Sequence, residues 1–164
     1  MDNRFLRNEM LIGKEGQKKL SGASVIVFGV GGVGSSAVES LARSGVGAIC
    51  LVDKDNVDVT NINRQLHALT DTVGKPKTAV MAERIKQINP DCNVTQINLF
   101  YLPECADKID LSRYDYIIDA IDTVSAKIEL CVRAKALGDP IISCMGTGNK
   151  MHAEMLKISD IYQT

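Results

Sequence analysis

Four groups of residues in this 164-residue chain have the types and the order that phosphate chemistry needs. Gly29-Val30-Gly31-Gly32-Val33-Gly34 directly follows the apolar run Val25-Ile26-Val27-Phe28, and Asp53 closes the next apolar run. The glycines turn the chain tightly, let the backbone approach a pyrophosphate, and let the following helix lie close against its strand. The first N–H groups of that helix and the positive end of its dipole then form an anion site. Asp53 stands where a ribose-binding acid belongs. These two groups leave the nucleotide open, because nicotinamide, flavin and adenylate chemistry all use such a cradle.

The third and fourth groups narrow the choice. A dehydrogenase next needs a surface for a nicotinamide ring, whereas this chain supplies Arg64, in Asn61-Ile62-Asn63-Arg64-Gln65, and Lys77, in Gly74-Lys75-Pro76-Lys77. Either cation alone reads as a solvated surface charge. Together, beside a pyrophosphate cradle, they suit a triphosphate whose leaving group gains charge as its α-phosphate is attacked. Asp122 follows the strand-like run Tyr116-Ile117-Ile118-Asp119-Ala120 and is the strongest metal candidate. Mg²⁺ takes oxygen ligands and often combines one carboxylate with substrate phosphates and waters. Asp55 and Asp119 are weaker acidic candidates and serve equally well as caps or surface charges.

Those residues need a frame. Apolar runs predict strands near 24–29, 48–52, 93–98, 115–119 and 140–145, alternating with helices near 33–44, 76–89 and 125–137. Such alternation predicts an α/β fold with a mostly parallel sheet covered by helices on both faces. An amphipathic helix over about 5–20 precedes the first strand, with Leu6, Met10, Leu11 and Leu20 as its expected inward residues. Pro76 suits the first turn of its helix and Asn89-Pro90 stops it. No repeat, low-complexity tract or linker divides the chain, so a single domain over 1–164 is expected.

Composition bounds the function classes. With 45% hydrophobic residues, 24% charged residues and a formal net charge of -1, the chain can bury a core without metal or disulfide staples. The near-neutral charge gives no general attraction for nucleic acid, so an RNA substrate would need a local basic patch or contacts outside this chain. The five cysteines contain no Cys-x-x-Cys pair, and four lie in or beside apolar runs. They read as reduced, buried thiols. No signal peptide or membrane-length apolar stretch is evident, which makes a cytoplasmic location, with no membrane contact, the expectation.

The glycine loop, the Asp53-x-Asp55 pair, Asn61-x-x-Arg64-Gln65, Gly74-x-Pro76-Lys77 and Ile118-Asp119-Ala120-Ile121-Asp122 together resemble the ubiquitin-activating-enzyme-like superfamily of adenylyltransferases. Within it, the stretches 61–69, 81–90 and 118–122 most resemble the tRNA threonylcarbamoyladenosine dehydratase branch, with likeness running from about Arg4 to the end. The resemblance implies a Rossmann-like domain that binds ATP and Mg²⁺ and activates a carboxylate as an acyl-adenylate. Carried over position by position, it gives Gly29, Gly31, Gly32 and Gly34 the triphosphate and Asp53 the ribose, with Asp55 nearby. Asn61 and Arg64 contact phosphates, Gln65 shapes the same wall, Lys77 neutralises the pyrophosphate, and Asp122 holds the metal. It also makes Arg7 a finger reaching the ATP of a neighbouring subunit in a homodimer, with Arg4 as the second choice; a plain surface charge is the alternative. The activated carboxylate would belong to modified tRNA. The runner-up is the C-terminal glycine of a ubiquitin-like sulfur carrier, with a sulfur-transfer protein as a further possible partner.

Other readings stay open. His67 reads as structural, holding the loop that bears Arg64; His152 lacks a motif; and Gly146-Thr147-Gly148-Asn149 either borders the acceptor or is an ordinary turn. Members of the resembled family continue well past this length and use the extra segment for acceptor binding and dimer contacts. The chain is therefore expected to lack that segment, with ATP binding retained and complete turnover open. A nicotinamide oxidoreductase and a catalytically silent nucleotide-binding partner are the alternatives from other classes.

Overall fold

The computed structural model describes residues 3–163; the expected domain 1–164 also includes residues 1, 2 and 164, which lie outside the described residues. Five strands, β1 (Ser24–Phe28), β2 (Ala48–Val52), β3 (Asn93–Ile97), β4 (Tyr116–Asp119) and β5 (Ile141–Ser143), form one sheet in the order β3-β2-β1-β4-β5. Every pairing is parallel. Helices α1 (Leu6–Gly22), α2 (Gly32–Ser44), α3 (Lys77–Ile88) and α4 (Val124–Leu137) complete the framework.

The uninterrupted apolar runs follow from covering the sheet on both faces. Successive strand side chains point to opposite faces, so Val25, Val27, Ile49 and Leu51 pack with Val38, Met81 and Ile85 of α2 and α3. On the other face Ile26, Phe28, Cys50 and Val52 pack with Ala126, Leu130 and Ala134 of α4 and with short turns over 103–113. Residues 25–28 are consequently at most 5% exposed.

Two expectations needed correction. β5 spans three residues rather than 140–145, because its partner β4 ends at Asp119 and peels away into a loop, and the Cys144 N–H to Asp119 carbonyl bond is the last link between the two segments among the described residues. Of the expected inward residues of the first helix, Leu20 packs against the core, but Leu6, Met10 and Leu11 are 44%, 76% and 86% exposed. Gly13, with φ 76° and ψ 167°, interrupts α1, and α2 and α3 already cover the sheet face, so the first half of α1 has no apolar layer to join. It docks through polar contacts instead. Asn8 Nδ2 and Gln17 Nε2 donate to the Ser44 carbonyl at 3.1 and 2.9 Å, and Arg4 donates to the Ile88 carbonyl.

Candidate functional site

In a parallel sheet of this order the connection from β1 runs to β2 on one side, while the connection from β3 crosses back over to β4 on the other, and the crevice at that switch point is where ligands bind. A cavity of about 400 Å³ opens there. Its floor is the glycine-rich turn. Gly29 has φ 85°, and a Cβ on it would stand 2.7 Å from the Ala120 carbonyl oxygen. Gly34 sits beneath, where a Cβ would be 1.8 Å from the Gly29 carbonyl oxygen. Gly31 and Gly32 face the cavity with Val33, and the nearest atom to a Cβ on Gly31 is Gln65 Nε2 at 3.9 Å. The first-turn N–H groups of α2, which a helix leaves without intrahelical partners, open into the same space. Thus Gly31 and Gly32 line the cradle, while Gly34 lies outside the lining and shapes it from below.

Asp53 ends the strand beside this turn. Its Oδ2 accepts from the Val30 N–H at 2.7 Å and its Oδ1 from the Asp55 N–H at 2.8 Å. The carboxylate therefore braces the cradle, and each oxygen keeps a further lone pair for a ribose hydroxyl. Asp55 pairs with Lys77, Oδ2 to Nζ at 3.0 Å, and Lys77 is only 6% exposed at the start of α3. Pro76, expected in the first turn of α3, instead caps it from the preceding position.

Asn61 is buried, and its Oδ1 accepts from the Asp58 N–H at 3.0 Å, closing a reciprocal cap around the turn 58–61. That turn presents Arg64, whose stem crosses Gly32 at 3.5 Å from an ideal Cβ and whose guanidinium donates to the Thr60 carbonyl at 3.0 Å and to Asn63 Oδ1 at 2.8 Å. Gln65 lines the cavity at 6% exposure, with a buried Oε1 that has no hydrogen-bond partner. Beneath them His67 is 1% exposed, both ring nitrogens are unpaired, and burial, with Lys77 as a second cause, lowers its pKa to about 4. Its neutral ring is a packing element of this loop and stands outside the cavity lining.

Asp122 stands on the opposite wall, exposed and without a hydrogen-bond or ion-pair partner among the described residues. No three His, Cys, Asp or Glu cluster among the described residues. A cation here would draw on one carboxylate, phosphate oxygens and water, which is a shell Mg²⁺ accepts. Asp119 is neither a surface charge nor a cavity residue: it is fully buried and paired with Lys127. Met145 and Gly146 carry the wall on from β5, so the loop after that strand borders the cavity. His152 is exposed and contacts Glu154 at 2.9 Å.

Arg7 stands far from this cavity. Asn8 meets the last residue of α2 and Arg4 meets the last residue of α3, whereas both helices begin at the cradle. At 1.5 Å per residue, the 12 residues of α3 separate its ends by roughly 17 Å.

Lys54 and the Leu99-Phe100-Tyr101 segment also line the cavity and had not been singled out from sequence. Lys54 Nζ lies 3.7 Å from the Phe100 ring centroid, and Tyr101 packs edge-on against Phe28. Burial pushes the Tyr101 phenol up to about 12. The available signal is that residues just past β3 share the carboxyl edge of the sheet with those past β1, β2 and β4.

Comparisons with known proteins agree with this geometry. The model of the ThiF family matches residues 5–160. The chain is 51% identical to the tRNA threonylcarbamoyladenosine dehydratase of Bacillus subtilis (strain 168), across all of this chain and 65% of that protein. It is 33% identical to the sulfur carrier protein ThiS adenylyltransferase of Escherichia coli (strain K12) over 147 residues, covering 88% of this chain and 58% of that protein. The crystal structure of the E. coli tRNA N6-threonylcarbamoyladenosine dehydratase in complex with ATP superposes with a TM-score of 0.93 at 41% identity, covering 99% of this chain and 67% of that one. The chain thus spans about three fifths of the length of these two curated relatives.

Proposed function

The chain belongs to the ThiF family, and from that premise we propose that it activates a substrate carboxylate by accepting it onto the adenylyl group of ATP, and that the carboxylate is that of N6-threonylcarbamoyladenosine in tRNA. The observation that carries the reading is the convergence of the glycine cradle, Asp53, Arg64, Lys77 and Asp122 on one cavity. A donor floor, an acid braced for ribose, two cations and an open carboxylate are the groups an ATP molecule needs from phosphates to sugar.

In the proposed reaction a carboxylate oxygen attacks the α-phosphorus, the bond from that phosphorus to the bridging oxygen of the β-phosphate breaks, and pyrophosphate leaves with the electron pair. No protein nucleophile is required. The chain's contribution is positioning and charge neutralisation. Lys77, freed from Asp55, and Arg64 face the charge that grows on the departing pyrophosphate. Asn61 and Gln65 hold the wall between them. Asp122 would hold Mg²⁺, which supplies further neutralisation of the phosphates when bound. The acyl-adenylate then meets a nitrogen of the same modified nucleoside, the ring closes, and AMP leaves, so the net change in the nucleoside is loss of one water.

Partners belong to the same proposal. Arg7 stands at the far edge of its own subunit, so a role at an ATP site requires a second copy; the exposed Met10 and Leu11 on the same helix supply apolar surface for that homodimer. Mixing Arg7→Ala with Arg64→Ala should then restore activity through heterodimers carrying one intact site. If heterodimers form and activity stays at the level of the separate variants, Arg7 has no trans role. A cytoplasmic location suits a tRNA substrate and five free thiols. Among the described residues no helix is long and apolar enough to cross a membrane.

The decisive measurement is mass spectrometry of N6-threonylcarbamoyladenosine-bearing tRNA after incubation with the protein, ATP and Mg²⁺. The expected product is lighter by one water and forms with stoichiometric AMP. ATP turnover dependent on the C-terminal glycine of a sulfur carrier, with tRNA unchanged, would move the function to the second reading, which the 33% identity to the ThiS adenylyltransferase supports. ATP binding with neither reaction would leave a nucleotide-binding partner protein.

A further inference from the structure

Asp119 is the last residue of β4, and its carboxylate joins three stretches of chain: the loop that follows it, α4 and β5. Its Oδ1 accepts from the Ile121 N–H at 3.1 Å. Its Oδ2 accepts from Lys127 Nζ at 2.8 Å and from the Ser143 hydroxyl. Its carbonyl oxygen accepts from the Cys144 N–H at 2.8 Å. Lys127 lies in the first turn of α4, and Ser143 ends β5. The loop Ala120-Ile121-Asp122-Thr123 is therefore an arch whose two feet, Asp119 and Lys127, are joined by an ion pair.

Both neighbours of that arch line the cavity. Ala120 donates its N–H to the Phe28 carbonyl at 2.8 Å and presses its own carbonyl against Gly29, which ties the arch to the cradle. Cys144, Met145 and Gly146 form the wall beyond Ser143. Asp119 is 0% exposed and Lys127 8%. Stability alone is a poor reason for such a pair, because apolar residues of similar volume serve a core as well or better. Position is a better one.

We infer that the buried Asp119–Lys127–Ser143 network is a positioning device that fixes the arch bearing Asp122 relative to the glycine cradle, and so sets the metal-binding geometry for ATP. The inference rests on the proposed adenylyl transfer. Lys127 and Ser143 touch neither nucleotide nor metal in this scheme; they act through the place they give Asp122.

The test is calorimetry of ATP binding to the chain, once in EDTA and once in MgCl₂, with circular dichroism to verify folding. In Lys127→Met, metal-free ATP affinity should stay within about twofold of the parent, while the gain conferred by Mg²⁺ should shrink roughly tenfold or more, the scale seen when outer-shell partners of a metal site are removed. Lys127→Arg, which keeps the charge, should recover most of that gain. Should Lys127→Met unfold because Asp119 is left as a lone buried charge, the pair Asp119→Asn with Lys127→Met removes both charges and replaces it. A folded variant with an undiminished Mg²⁺ gain overturns the inference, as does a parallel loss of metal-free affinity, which would mark the network as general scaffolding. A parent that binds no ATP overturns the functional reading and this inference with it; a parent that binds ATP with a Mg²⁺ gain that the variant shares overturns the inference alone.

Discussion

Two strand-to-helix crossovers meet at the cavity and are built in opposite ways. The β1–α2 turn is made of glycine and backbone, with Asp53 bracing it from outside and its N–H groups facing the ligand. The β4–α4 arch is held by a buried carboxylate and ammonium, and it presents a single carboxylate, Asp122, to the same space. The first offers donors to an anion; the second offers an acceptor to a cation. A triphosphate with a divalent ion needs both, and facing crossovers let one fold supply them without a cluster of acids.

The strongest way to break this contrast is to put a side chain where the first crossover tolerates none. In Gly34→Ala the new methyl would lie 1.8 Å from the Gly29 carbonyl oxygen, so the turn must deform, at a cost of about 3 kcal/mol or more. Chemical denaturation should show that loss, whereas Gly31→Ala, with nothing nearer than 3.9 Å, should leave stability nearly intact and lower ATP affinity by filling the cradle. Equal stability in both variants would deny the separate roles of the two glycines.

A second effect comes from pH. The neutral His67 ring sits under the Arg64 loop with its pKa lowered from 6.5 to about 4. The unfolded chain therefore takes up a proton as pH falls below 6.5 while the native chain does not, and stability declines until about pH 4, by on the order of 3 kcal/mol across the window. Stability curves measured between pH 7 and pH 4 should carry this slope in the parent and lose it in His67→Leu.

Asp53→Ala comes next. It removes the brace from Val30 and Asp55 together with the expected ribose acceptor, and should weaken ATP binding by about 1–3 kcal/mol in calorimetry. Asp53→Asn keeps one acceptor and should lose less. The smallest change in stability, within about 0.5 kcal/mol, belongs to Asp122→Ala, because that side chain is exposed and unpartnered. Its cost should appear only when Mg²⁺ is added. An Asp122→Ala protein with a full Mg²⁺ gain would erase the functional half of the comparison.

The residue order alone carried the parallel α/β frame, the cradle, Asp53 at the end of β2 and the joint pattern of Arg64 and Lys77. These are local quantities. Apolar runs, turn glycines and short spacings are set by backbone sterics and by which neighbours share a strand or helix, so they survive being read along one dimension. The exposed first half of α1 was misjudged from the same kind of signal, since periodicity reports an apolar stripe without reporting whether a layer remains for it to cover.

Folding supplied what depends on distant segments meeting. Asp119, Lys127 and Ser143 are 8 and 24 residues apart, and nothing in their spacing announces an ion pair, because only the β4–β5 register and the first turn of α4 bring them together. Lys54 and Phe100 likewise meet only because β2 and β3 end at the same edge. Arg7 was placed at the far ends of α2 and α3 by the docking of α1, a contact of half-buried and exposed polar groups with no periodic signature. Sheet order and packing decide such encounters, and they are properties of the whole chain's burial rather than of any stretch of it.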